Sequence, residues 1–121
     1  MHKFKIVRRK DNQFAVQFCY NSEIMVWSEN YKGKASAQNC IASLKKNAPG
    51  APTADLTEGE EESGYHFEIE RSKDGQFYVR FRAPNGEIMV RSETYVAKSS
   101  AKNCIQSVME RGPDAPIVDE S

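Results

Sequence analysis

Few residues in this chain belong to the types that do covalent or acid–base chemistry. Among its 121 residues are two histidines and three cysteines. His2 and His66 lie outside the repeated motifs described below, one near the N-terminus and one closing an acidic stretch, so no acid, base or metal site is expected around them. Cys19, Cys40 and Cys104 are odd in number and contain no CxxC pair, which argues against a disulfide framework or a zinc site. Glycines stand singly at turns, without the spacing of a phosphate-binding loop. With no set of nucleophile, base and orienting group, the expectation is a protein without catalytic residues, metal or cofactor.

Side chains suited to binding are more plentiful. At alternate strand positions stand Lys5, Gln17, Met25 and Trp27 in the first half, and Tyr78, Arg80, Arg82, Met89 and Arg91 in the second. On one sheet face, aromatic rings among cations suit stacking of unpaired bases with contacts to phosphate. Methionine and tryptophan on the same face suit a protein partner or a second copy of the chain. A protein partner or self-association is the leading expectation; single-stranded nucleic acid is the alternative. The longest apolar run, Ile24 to Trp27, is far short of the roughly 20 residues that a spanning helix needs. The N-terminal residues carry no apolar signal stretch, so no membrane association is expected and the cytoplasm is the expected compartment.

What must position these groups is set by an internal repeat. Residues 4–18 recur at an offset of 63, from Phe4-x-Ile6-x-Arg8 and Gln13-Phe14-x-Val16-x-Phe18 to Phe67-x-Ile69-x-Arg71 and Gln76-Phe77-x-Val79-x-Phe81. From Asn21 the offset is 64: Glu23-Ile24-Met25-Val26-x-Ser28-Glu29-x-Tyr31 matches Glu87-Ile88-Met89-Val90-x-Ser92-Glu93-x-Tyr95, and Asn39-Cys40-Ile41 matches Asn103-Cys104-Ile105. Of the 49 positions from 4 to 52, 27 are identical between the copies. A unit of about 50 residues buries too little surface to be comfortable alone, so two copies sharing one core are expected. The chain divides into a first repeat at 1–57, an acidic connector at 58–66 and a second repeat at 67–121.

The repeats also resolve the charge. The 17 basic and 17 acidic residues cancel, yet residues 1–52 hold nine bases against three acids, 53–66 hold five acids and no base, and 67–121 hold eight bases against nine acids. A basic first repeat stands beside an acidic segment, which is expected as a solvated linker rather than a screen folded over the first repeat.

Each repeat begins with three strands, at Phe4–Arg9, Phe14–Tyr20 and Ile24–Ser28 in the first copy. Keeping Phe67 and Ile69 on one face with Phe77, Val79 and Phe81 requires a three-residue loop, Lys73-Asp74-Gly75, with Gly75 in the left-handed conformation and Asn12 in its place in the first copy. The predicted pairs are Phe67 with Phe81, Ile69 with Val79 and Glu68 with Arg80. At the second turn, alternation opposes Phe18 to Ile24 and Phe81 to Ile88 inside, and Cys19 to Glu23 and Arg82 to Glu87 outside. Cys19, on the outer face, is then the more reactive thiol. A helix follows over Lys34–Asn47 and Lys98–Arg111, burying Ala37, Cys40, Ile41, Leu44 and Ala48 and stopped by Pro49 and Pro113. On it Cys40 and Cys104 are expected to pack as small apolar groups rather than to pair.

The order Phe-x-Ile, Gly-Gln-Phe-x-Val-x-Phe, Asn-Gly-Glu-Ile, Ser-Glu-x-Tyr, Lys-x-Ser-x-x-Asn and Ala-Pro resembles the YegP-like family of small bacterial tandem-repeat proteins of unknown function. The resemblance implies an α+β fold of tandem β(3)-α-β units. They form a single, mostly antiparallel sheet with two helices on one face, and their C-terminal strands are exchanged, Thr53–Leu56 pairing in the second unit and Ile117–Asp119 in the first. It brings no catalytic residues. The family tends to have serine where Gly33 and Ala97 precede the helices, and glycine where Cys40 and Cys104 stand.

Overall fold

A computed structural model describes all 121 residues. The strands β1 (His2–Arg8), β2 (Phe14–Tyr20) and β3 (Glu23–Trp27) precede helix α1 (Lys34–Asn47) and strand β4 (Thr53–Asp55). The second copy gives β5 (His66–Arg71), β6 (Phe77–Arg82), β7 (Ile88–Ser92), α2 (Lys98–Arg111) and β8 (Ile117–Asp119). All eight strands form one sheet in the order β4-β5-β6-β7-β3-β2-β1-β8. The fold is the expected α+β arrangement, including the exchange: β4 runs parallel to β5, and β8 runs parallel to β1.

Strand phase decides which side chains meet the helices. Phe4, Ile6, Val16 and Phe18 of the first copy, with Phe67, Ile69, Val79 and Phe81 of the second, are almost fully buried in one core with Ile41 and Leu44. The paired rings of Phe4 and Phe18 stand 4.8 Å apart, and those of Phe67 and Phe81 4.6 Å. Such pairs add about 0.5–1.5 kcal/mol each to the benefit of area burial. The registers Phe67 with Phe81, Ile69 with Val79 and Glu68 with Arg80 are those the alternation predicts. The first turns close between Arg9 and Gln13 and between Ser72 and Gln76, with Asn12 at φ 57° and Gly75 at φ 83°. Both helices start without a side-chain cap, at Gly33 and Ala97.

The second turn departs from the expected register. Phe18 pairs with Val26 and Cys19 with Ile24; Phe81 pairs with Val90 and Arg82 with Ile88. Each third strand therefore carries one extra residue, Met25 or Met89, in a β-bulge. A bulge turns neighbouring side chains to the same side, so the methionines join Val26 and Val90 on the helix face. Met89 is buried in the core and Met25 packs against it. Ile24 and Ile88, expected inside, lie outside in the rows of Cys19 and Arg82.

The acidic segment begins with the expected strand, and beyond it is more ordered than a solvated linker. Its start forms β4 and a 3-10 turn at Leu56–Glu58. Asp55 and Glu58 reach Lys98 at 2.8 and 3.3 Å, and Glu60 accepts the Asp55 backbone N–H. These carboxylates engage the second repeat's helix or their own segment, and none pairs with a base of the first repeat. No helix is long and apolar enough to cross a membrane.

Candidate binding site on the open sheet face

The sheet face away from the helices carries a single row of cross-strand neighbours. Lys5 pairs with Gln17, Gln17 with Trp27, Trp27 with Arg91, Arg91 with Arg80, and Arg80 with Glu68. Tyr78, two residues before Arg80 on β6 and so on the same face, stands beside this row. The structure thus brings together Lys5, Gln17, Trp27, Tyr78 and Arg91 of the seven candidate residues. Met25 and Met89 are turned away from this face by the bulges, Met89 buried and Met25 half-buried on the helix side.

The middle of the row lies where the two repeats meet. Trp27 and Arg91 are the same position of the two copies, 64 residues apart, so their pairing across β3 and β7 sits on the pseudo-twofold axis. The Arg91 guanidinium lies 5.9 Å from the Trp27 ring centroid and 5.2 Å from that of Tyr78. Arg91 is exposed and has no carboxylate partner. Its cross-strand neighbour is a like charge, Arg80, and the two rings supply the favourable field. A shallow cleft of about 220 Å³ opens here, lined by Trp27, Glu29, Ile88 and Arg91 among others.

The flanking cations are occupied. Lys5 lies 3.6 Å from Glu120. Arg82 and Arg80 converge on Glu68 at 2.7 and 3.2 Å, and Arg80 also approaches Glu70. Arg82 is therefore paired, as expected, although with Glu68 rather than Glu87. Burial works against the Glu68 charge, but hydrogen bonds from Arg82 and His66 and the two guanidinium charges hold its carboxyl below the usual range.

Strand phase also places His66 in this cluster, a role that its position at the end of the acidic segment concealed. The signal was the spacing His66-x-Glu68 on a strand, which puts both on one face. Its Nε2 lies 3.1 Å from Glu68 and its Nδ1 2.8 Å from the Gly64 carbonyl. Both ring nitrogens are thus turned toward oxygens of the protein itself. Cys19 faces outward as expected yet is only 1% exposed, and burial raises its pKa. It is not the reactive thiol that its face implied. Cys40 and Cys104 are buried too, and their thiols are pushed up to about 11 by desolvation.

A family model described as a domain of unknown function, DUF1508, matches residues 10–55 and again residues 72–119. The chain belongs to the DUF1508 family. A UPF0339 protein of Pseudomonas aeruginosa is 33% identical over 98% of this chain and 97% of its own length. Another, from Caulobacter vibrioides, is 49% identical over 57 residues, 97% of its length but 47% of this chain. The match to the first relative spans both DUF1508 segments of this chain, and the match to the second spans about half of it. Among solved structures, the yegP protein of E. coli, a protein of unknown function, superposes with a TM-score of 0.78 at 28% identity, covering 98% of this chain and 92% of its own. This DUF1508 chain thus has the fold of YegP, within a family whose function is unknown.

Proposed function

We propose that this protein is a non-enzymatic binding module that takes an acidic, extended segment of a partner protein on its open sheet face. The observation that carries this reading is Arg91, an exposed guanidinium stacked over Trp27 and Tyr78 with no anion of its own. A carboxylate of the partner would complete it, while Ile24, Ile88 and the Trp27 ring offer apolar contact beside it. The raised thiol pKa values favour binding over catalysis. Three unpaired thiols suit a reducing cytoplasm.

A second reading, single-stranded nucleic acid, draws on the same aromatic and guanidinium platform. It is less favoured because Lys5, Arg80 and Arg82 are already paired with carboxylates, leaving too few free cations in the row for successive phosphates. Trp27 is the only tryptophan, so its fluorescence separates the two readings. A saturable change with a glutamate-rich peptide, lost in Arg91→Ala, supports the protein partner. A change with a short thymidine strand, steeply weakened by salt, supports the alternative. Silence to both at low salt removes this face from consideration.

A further inference from the structure

The two edges of the sheet are equivalent parts of the two repeats, yet they are finished differently. Thr53-Ala54-Asp55 of β4 and Ile117-Val118-Asp119 of β8 occupy the same positions, 64 residues apart. In each, alternate residues turn their backbone groups inward. The Phe67 N–H donates to the Pro52 carbonyl, the Phe4 N–H to that of Pro116, and the Glu120 N–H to that of Ile6. Asp55 on one edge, and Ile117 and Asp119 on the other, therefore point their N–H and C=O groups out of the sheet.

The β4 edge is closed. Glu60 folds alongside it, donating its backbone N–H to the Asp55 carbonyl at 3.1 Å and accepting the Asp55 N–H on its carboxylate at 2.9 Å. Ala54 is fully buried. The β8 edge is open. Ser121 turns back onto the Asp119 carboxylate instead of running along its backbone, and no group of the chain bonds the outward N–H or C=O of Ile117 or Asp119. Ile117 and Val118 are 52% and 36% exposed.

Natural sheet edges are blunted by charge, proline or cover. Here the covered edge holds Thr53 and Ala54, while the uncovered one holds isoleucine and valine, the residues best suited to pair with a further strand. Pro116 does not blunt this edge, because its backbone faces β1. The charge of Asp119 is neutralised by Lys34 at 2.9 Å.

We propose that β8 pairs with the β8 of a second copy of this chain, antiparallel about Val118, joining two eight-stranded sheets into one. The register follows from the bare groups. A twofold axis at Val118 sets Ile117 of each copy against Asp119 of the other, and all the outward donors and acceptors of these residues are satisfied in two hydrogen-bonded pairs. Val118 meets its counterpart on the open face, where it lies beside Lys5. Charge agrees with this register. Glu120 comes to lie across from Pro116 of the second copy, next to that copy's Lys3, which is on the same face as Lys5 and has no carboxylate within its own chain. With β4 closed by Glu60, the pairing ends at a dimer rather than a filament. A strand of three residues makes a small contact, so the two copies exchange rather than stay bound.

Sedimentation of the full chain up to about 1 mM, with amide NMR and hydrogen exchange over the same range, tests this pairing. The expected result is a monomer–dimer equilibrium. Shifts and amide protection should grow with concentration at Ile117, Asp119 and β1, and Trp27 emission should stay constant. Ile117→Pro removes an outward N–H that the fold does not use, and Val118→Lys sets like charges face to face on the axis. Each should weaken the dimer at least about tenfold while leaving amide shifts away from β8 and β1 unchanged. A monomer throughout overturns the pairing and leaves the edge to a strand of another protein. So does a dimer that persists in both variants, or a change in Trp27 emission, which would place the contact on the open face. Species that grow past the dimer overturn it as well, since β4 would then be the partner.

Discussion

Trp27 and Arg91 occupy the same position in the two repeats and face each other across the pseudo-twofold axis, the guanidinium 5.9 Å from the ring centroid. Exact symmetry would place identical residues on such an axis. Divergence of the copies has instead put a ring against a cation at the one place where each repeat's residue meets its own counterpart. The pair joins the halves of the sheet, with Arg91 exposed on its outer face. Replacing Arg91 with alanine should shift Trp27 emission, because the indole loses its covering charge. Stability should fall by only about 0.5–1 kcal/mol, the value of an exposed cation–π contact, measured by urea unfolding. A larger loss would mean that Arg91 chiefly holds the seam together.

Glu68 is the opposite case, a carboxylate that two guanidiniums and an imidazole surround. Glu68→Gln should cost about 3 kcal/mol, since removing one member of a buried charge group strands the others. The half-exposed Glu70 should cost under about 1 kcal/mol when changed in the same way. The sign with pH follows from the depressed carboxyl. A group whose folded pKa lies below its unfolded one contributes stability that is complete above the ordinary carboxylate range and is lost as pH falls toward the folded value. Stability of the parent protein should therefore fall on acidification, and Glu68→Gln should flatten that limb. An unchanged acid limb would contradict the cluster.

The three thiols should resist modification in the folded protein. Cys40 and Cys104, pushed up to about 11, hold almost no thiolate at neutral pH, and Cys19 is covered. An aromatic disulfide reagent at pH 8 should release no fast signal until denaturant is added, then report all three. Fast reaction of one thiol in the native state would place a reactive cysteine where the structure has none.

How much of this was visible in the residues depends on the kind of signal. Alternation alone placed Phe67 against Phe81 and Glu68 against Arg80, because a one-residue slip would turn the whole apolar set outward. The same rule failed at Glu23-Ile24-Met25-Val26. There every residue after the glutamate is apolar, so the phase can change at a bulge without any mark in the pattern. Those hidden bulges buried Met89, half-buried Met25 and turned both away from the candidate face. The meeting of Trp27 with Arg91 was implicit in their 64-residue offset, but only the order of strands at the seam makes equivalent residues neighbours.

The exchange of strands is held by two reciprocal ion pairs. Asp55, from the end of the first copy, reaches Lys98 of the second helix at 2.8 Å, and Asp119, from the end of the second copy, reaches Lys34 of the first at 2.9 Å. These are equivalent pairs, each linking one copy's last strand to the other's helix. The Asp55 pair is the better covered, so a double-mutant cycle with Asp55→Asn and Lys98→Met should give roughly 1 kcal/mol of coupling. The cycle with Asp119→Asn and Lys34→Met should give less. Equal couplings would show that exposure does not govern them.

The exchange also predicts how one repeat behaves alone. Residues 1–57 make one repeat, about the length over which the Caulobacter vibrioides relative matches this chain, but their own β4 has no partner strand within the unit. In a second copy it would find β1, as β4 finds β5 here. The seam register pairs Val26 with Ser92 and Trp27 with Arg91. With both sides supplied by the first repeat, it becomes Val26 with Ser28 and Trp27 with Trp27. The isolated repeat should therefore sediment as a dimer, and its tryptophan emission should change on dilution as the stacked rings part. Arg91 is absent from this dimer, so the glutamate-rich peptide should not bind it even though the sheet is restored. A folded monomer would show that β4 docks within its own unit, and binding of the peptide would show that Arg91 is not what recognises it.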